Sequence, residues 1–216
     1  MKYILLHGLG QVSASWNNVI KVMDNRSDFH CPDLAGWLSA KKACYTDIYQ
    51  ALEKYCEQFH EPLNLCGLSL GGTLALQYGI EHPEKVNSLA LIATQYKMPK
   101  RLLQIQNGIF RIMPKSSFQR VGLEKKDFIN LSKSMMDLDF QHDLHKIHCW
   151  VLVICGDKDR VNKSASLQLK DQIEHAKLCI IADAGHEVNL ENPAELGNVL
   201  HAFFKGDNPT SCQIWK

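Results

Sequence analysis

The sequence predicts an α/β fold: a mostly parallel sheet of about six strands with helices on both faces and a short helical lid. Two observations carry that prediction. Short apolar runs alternate with amphipathic stretches over residues 2–93 and again over 150–204, and continuous apolar character suits parallel strands covered on both faces. Between them, residues 94–148 lose the alternation and keep only helical spacing, as an inserted lid would. A chain of 216 residues is long enough for one well-buried domain and short for two. The expectation is therefore a single domain over residues 1–205, with the lid 94–148 inserted and residues 206–216 as a flexible polar tail.

Taken in order, residues 2–6 form an apolar strand that runs straight into the tight turn His7-Gly8-Leu9-Gly10. Residues 13–23 have helical spacing in Trp16, Val19, Ile20 and Met23, with Ser13 or Ser15 as cap. A second strand over 28–32 ends in the loop Pro32-Asp33-Leu34-Ala35-Gly36, and residues 46–59 place Ile48, Leu52, Tyr55 and Phe59 on one helical face. Residues 62–66 read as a short buried strand and 71–79 as a helix; His82-Pro83-Glu84-Lys85 then breaks the pattern before the strand 86–93. The lid holds helical stretches over 102–113, ended by Pro114, and over 124–136. Strand 150–155, helix 164–173, strand 178–181 and helix 193–204 complete the alternation.

Composition narrows the partners. Hydrophobic residues at 45%, charged residues at 22% and a net charge of +1 give no global pull toward nucleic acid or membrane, so the partner is expected to be a small molecule, with no nucleic acid and no membrane insertion. The first eight residues lack the apolar length of a signal-peptide core, and no later run approaches the ~20 residues needed to span a bilayer. A cytoplasmic location is the corresponding expectation. Of the eight cysteines, Cys66, Cys155 and Cys179 fall in apolar strand-like runs and read as reduced core thiols. No Cys-x-x-Cys pair offers zinc or redox spacing.

The chemistry centres on Gly67-Leu68-Ser69-Leu70-Gly71, on the turn between strand 62–66 and helix 71–79. This is the pattern of a nucleophile elbow. Strand and helix pass so close that a Cβ two residues before or after the serine would clash, and the serine itself is held in strained dihedrals. The first amides of the helix, from Leu70, then point at an oxyanion bound to Ser69. A serine hydroxyl needs an imidazole to take its proton and a carboxylate to orient that imidazole. His186 follows strand 178–181 in Asp183-Ala184-Gly185-His186-Glu187, and two acids, Asp157 and Asp159, follow strand 150–155.

Four motifs in order, His7-Gly8-Leu9-Gly10, Gly67-Leu68-Ser69-Leu70-Gly71-Gly72, Gly156-Asp157-Lys158-Asp159 and Gly185-His186, resemble the α/β-hydrolase superfamily over nearly the whole chain to about residue 204. The resemblance is to the branch of small serine esterases and thioesterases that includes the biotin-pathway carboxylesterase. It implies Ser69, Asp159 and His186 as catalytic residues, because the family's acid is the second aspartate of a Gly-x-x-Asp loop, and it leaves Asp157 as a loop-forming residue. It also implies backbone amides of Leu9 and Leu70 as oxyanion donors, with His7, Leu9 and Leu68 at the substrate. The implied activity is cleavage of a small carboxylic ester or thioester through an acyl-enzyme, with no metal and no organic cofactor. A C–C bond hydrolase or lyase resembling the menaquinone-pathway synthase is the alternative, followed by a non-catalytic ligand-binding member of the fold. The chain departs from the family in three places. It begins at what is usually the third strand, Trp150 replaces a common proline, and Trp37-Leu38-Ser39 replaces a second glycine.

Two weaker patterns remain. His142, His145 and His148, with Asp139 and Asp143 nearby, have tolerable metal spacing but suit an amphipathic connector better. Lys97, Lys100, Arg101, Arg111, Lys115, Arg120, Lys125 and Lys126 face the single acid Glu124. They form either a solvated helical face or a patch that steers an anionic carrier, coenzyme A or a carrier protein.

Overall fold

The computed structural model describes residues 1–24, 26–38, 43–119, 122–207 and 213–215. Strand and helix alternate from the start: β1 (Tyr3–Leu6), α1 (Asn17–Ile20), β2 (Phe29–His30), α2 (Tyr45–Cys56), β3 (Leu63–Leu68), α3 (Leu70–Glu81) and β4 (Val86–Ile92). Three helices follow in succession, α4 (Lys100–Ile112), α5 (Ser116–Gln119) and α6 (Lys125–Ser134). Alternation then resumes with β5 (Trp150–Gly156), α7 (Lys163–Gln172) and β6 (Ala176–Ile181), and the chain closes with α8 (Val188–Glu191), α9 (Pro193–Lys205) and β7 (Gln213–Trp215).

The strands lie in the order β2-β1-β3-β4-β5-β6-β7. Six are parallel, and β7 adds to β6 antiparallel. Because successive side chains of a strand point to opposite faces, the apolar runs feed two cores. Ile4, Leu6 and Leu65 pack with Ile48 and Leu52 of α2, Leu74 and Tyr78 of α3 and Leu169 of α7. Leu5, Cys66 and Leu68 pack on the other face with Val19 of α1 and Leu196, Val199 and Leu200 of α9. The α4–α6 segment also has a small cluster of its own, Phe110, Phe118 and Phe128, whose rings meet edge to face at 4.8–6.0 Å.

From β1 the chain moves outward to β2 on one side, then returns to β3 on the other. That reversal opens a crevice beyond the carboxyl ends of β1 and β3, where ligands of parallel sheets bind. The loop from His7 and the turn at Ser69 leave those two ends side by side, with Leu6 opposite Gly67 in register.

The structure differs from the sequence expectations in three places. The strand expected at 28–32 shrinks to Phe29–His30, an edge strand paired only with β1 and followed closely by Pro32, which has no N–H for a ladder. Residues 213–215, expected in a loose tail, instead extend the sheet. Cys179 is a correction: it is fully buried as expected, but it is disulfide-bonded and not a free thiol. Burial in an apolar strand does not distinguish the two states, and the pairing of β7 with β6, Ile214 opposite Cys179, lay outside the apolar pattern. Cys66 and Cys155 are free.

Candidate active site

Ser69 caps α3 with φ 54° and ψ −110°, a sparsely populated region that costs a non-glycine residue of order 1–3 kcal/mol and persists only where its surroundings enforce it. The enforcement is steric. A Cβ on Gly67 would run into the backbone of Gly71 and Gly72, and one on Gly71 would run into the carbonyls of Leu6 and His7. With its amide donating to the Ile92 carbonyl at 2.9 Å, Ser69 is fixed between β3, β4 and the start of α3. Leu70 opens α3, so its N–H has no carbonyl four residues back and sits at the positive end of the helix dipole.

Asp159 and His186 meet across 27 residues of sequence, with His186 Nδ1 donating to Asp159 Oδ2 at 3.0 Å. A carboxylate only accepts, so Nδ1 carries a proton and Nε2 keeps a lone pair in the neutral ring. Asp159 is 5% exposed. Burial pushes its carboxyl up, but hydrogen bonds from His186 and Asn162 outweigh that and hold it below the ordinary value. Asp157 stands apart: it is exposed and its Oδ1 accepts from the Ala184 amide at 3.1 Å, bracing the loop before His186. That loop is pinned a second time, because the Glu191 carboxylate accepts from the amides on either side of His186, Gly185 at 2.8 Å and Glu187 at 3.0 Å.

The turn after β1 is tied to the same loop by a reciprocal pair of buried amides. Gln11 Nε2 donates to Asn189 Oδ1 at 3.1 Å, and Asn189 Nδ2 returns a bond to Gln11 Oε1 at 3.0 Å. Neither residue carries a local sequence signal, since the partners are 178 positions apart. His7 braces the turn from beneath. Its Nδ1 donates to the Gly8 carbonyl at 2.9 Å and its Nε2 accepts from the Leu34 amide at 3.0 Å.

A cavity of about 350 Å³ brings Ser69, Asp159 and His186 together with Leu9 and Leu70. Its far wall comes from α4, through Leu102, Leu103, Ile105, Gln106 and Ile109, and from Ser132 and Met135 at the end of α6. Two residues expected at the substrate, His7 and Leu68, are not in the lining of this cavity. His7 is 3% exposed and Leu68 is 1% exposed. The ring of His7 is taken up by the Gly8 carbonyl, the Leu34 amide and, at 3.3 Å, the Asp33 carboxylate, and Leu68, as an inward residue of β3, packs into the core beside α1 and α9. Sequence reasoning missed Asn162, Gln95 and Thr73, which do line it.

The basic stretch beside α4 is partly neutralised. Lys97 pairs with Asp139 at 2.8 Å, Lys100 with Asp137 at 2.6 Å and Lys126 with Glu124 at 2.9 Å. Lys125 Nζ donates to the Arg111 carbonyl. Arg101, Arg111 and Lys115 are exposed with no ion pair among the described residues, and Arg120 lies outside the described residues. His142, His145 and His148 are exposed; the three side chains whose carboxylate and imidazole atoms come close enough together to share a metal ion, among the described residues, are Glu53, Glu81 and His82. Among the described residues, no helix is long and apolar enough to cross a membrane.

Residues 3–198 match the profile of the alpha/beta hydrolase family. Among curated relatives, the pimeloyl-[acyl-carrier protein] methyl ester esterase of Nitrosomonas europaea is 29% identical over 91 residues, covering 42% of this chain and 36% of that protein. The chain thus matches about a third of the length of the first such relatives, 36% and 37% in two cases. The enzyme of the same name from Neisseria meningitidis aligns more fully, at 25% identity over 95% of this chain and 82% of its own. Among solved structures, the enol-lactonase from Burkholderia xenovorans superposes with a TM-score of 0.80 at 16% identity, covering 94% of this chain and 91% of that one.

Proposed function

We propose, for a chain that belongs to the alpha/beta hydrolase family, that it is a serine hydrolase of small carboxylic esters or thioesters acting through an acyl-enzyme. One observation carries the reading: Ser69, in enforced strain, opens on the same cavity as the Asp159–His186 pair. Ser69 Oγ attacks the acyl carbonyl while its proton passes to His186 Nε2, whose lone pair is freed by the Nδ1 bond to Asp159. The tetrahedral oxyanion is held by the amides of Leu9 and Leu70, each worth roughly 3 kcal/mol of barrier. His186 then gives the proton to the departing alcohol or thiol, and water repeats the sequence on the acyl-enzyme. These steps need neither a metal nor an organic cofactor.

Within one domain over residues 1–205, the α4–α6 segment serves as the lid. Its apolar wall suits an acyl chain, while Arg101, Arg111 and Lys115 suit an anionic carrier such as coenzyme A or a carrier protein. The relatives named for a carrier-protein methyl ester support that choice. A fluorophosphonate probe tests the whole reading: it is expected to label the wild type on Ser69 and to leave Ser69→Ala unlabelled and inactive on a short-chain aryl ester. An unlabelled wild type, or an active Ser69→Ala, refutes it.

A further inference from the structure

We infer that Asn162, itself held by Gln95, is a positioning residue that fixes the plane of the Asp159 carboxylate against His186. The inference rests on the proposed hydrolase reading and adds to it a role that the three-residue relay does not contain.

A carboxylate turns easily about its last bond, because that torsion has a broad, two-fold profile. One hydrogen bond, from His186 Nδ1 to Oδ2 at 3.0 Å, would leave the group free to swing. Asn162 removes that freedom. Its Nδ2 lies 2.9 Å from Oδ1 and 2.8 Å from Oδ2, spanning both oxygens, and its backbone amide adds a bond to Oδ1 at 3.2 Å. The same Nδ2 stands 3.1 Å from His186 Nδ1, so amide and imidazole share one oxygen side by side. Asn162 is 6% exposed, and its geometry is not diluted by solvent.

The orientation of the amide follows from chemistry. The carboxylate accepts only, so the Asn162 NH₂ must face it and the carbonyl must face away. That carbonyl meets Gln95 Nε2 at 2.7 Å, a donor from the segment after β4, 67 positions distant in sequence. Turning the amide over would set two oxygens under 3 Å apart and lose the Gln95 bond. A simpler role for Asn162 would be to cap α7, where it holds the N-cap position, but its side chain makes no capping bond. The side chain is committed to Asp159.

The test compares Asn162→Leu, of similar volume but without donors, and Asn162→Asp, of the same shape but with oxygens facing the carboxylate. Thermal melts verify folding. Steady-state kinetics on an aryl ester are expected to show kcat lowered roughly 10- to 100-fold in N162L, and further in N162D, with KM within about threefold. Because Asn162 acts through Asp159, adding N162L to Asp159→Asn is expected to cost less than about threefold. Q95L is expected to lie between the wild type and N162L. A kcat within twofold of wild type in both N162L and N162D overturns the inference, as does an N162L loss that multiplies fully with that of D159N. Fluorophosphonate labelling separates the levels. With Ser69 labelled in the wild type, those outcomes overturn the positioning role alone; with Ser69 unlabelled, the hydrolase reading falls and takes the positioning role with it.

Discussion

Replacing Asp159 by asparagine preserves volume and removes the one feature the site needs, two acceptor oxygens. In the native arrangement those oxygens receive His186 Nδ1 at 3.0 Å, Asn162 Nδ2 at 2.8 and 2.9 Å and the Asn162 amide at 3.2 Å. An asparagine offers one oxygen and one NH₂. Whichever way it turns, an NH₂ must face a donor, and the relief open to the site is for His186 to move its proton to Nε2, where it can no longer take the Ser69 proton that the proposed mechanism requires. Loss of the orienting acid in a serine triad lowers kcat by roughly 10⁴, about 5.4 kcal/mol on the barrier. Asp157→Asn is the matched control. Asp157 is exposed and uses one oxygen to brace the Ala184 amide, which an asparagine carbonyl can also do, so activity should stay within about twofold and stability within about 0.5 kcal/mol. Initial rates on an aryl ester, with urea melts on both variants, decide it. A fully active Asp159→Asn, or an inactive but stable Asp157→Asn, would refute the assignment.

Gly67→Ala forces a Cβ into the backbone of Gly71 and Gly72 and should lower stability by roughly 3 kcal/mol in urea titration, the upper part of the range for overpacking. Gly108→Ala, on α4 with nothing near its Cβ position, should instead raise it by up to about 1 kcal/mol. The Asp159 carboxyl is held below its ordinary value of 3.8. Its ionisation therefore stabilises the fold above about pH 4, and that contribution fades as pH falls through the folded value. Urea midpoints between pH 6 and 3 should accordingly drop more for wild type than for Asp159→Asn. If Arg101, Arg111 and Lys115 steer an anionic substrate, kcat/KM on an anionic thioester should fall steeply with added salt while a neutral ester is unaffected; equal responses would discard the steering role.

What the sequence made legible is what is dictated locally. The Gly67 and Gly71 spacing follows from backbone collisions within a few residues of Ser69, and the strands follow from apolar runs that two covered faces require. Position after the strands singles out His186 and the two acids Asp157 and Asp159, and the resemblance to the family is what selects Asp159. The sequence could not show what depends on pairing between distant segments. Gln95 reaches Asn162 across 67 positions and Gln11 reaches Asn189 across 178, and an isolated amide has no periodicity to betray it. The strand Gln213–Trp215 likewise depends on pairing with β6 at the sheet edge. His7 illustrates a further limit. Its position at the head of the turn after β1 is clear, but whether its ring faces the cavity or the backbone depends on the Leu34 amide, 27 residues away.

These long-range amides explain how a site assembled from four loops keeps the fine geometry that its proposed chemistry demands. Each parallel strand delivers its loop to the same edge, which fixes position to within a few ångströms but leaves each loop its own freedom. Gln11 with Asn189 joins the turn after β1 to the His186 loop, Gln95 with Asn162 joins the β4 and β5 loops, and the Asp159–His186 bond joins β5 to β6. Ser69 needs no such link, because its glycines fuse it to the sheet. The centre is thus cross-braced around a rigid serine. The cavity wall opposite belongs to helices that hold together through Phe110, Phe118 and Phe128, outside that bracing. On the proposed reading, the exposed wall residues Ile105 and Ile109 of α4 can alter which acyl group fits, whereas Leu103 and Met135 also pack in the main core with Leu70 and tie that wall to the centre.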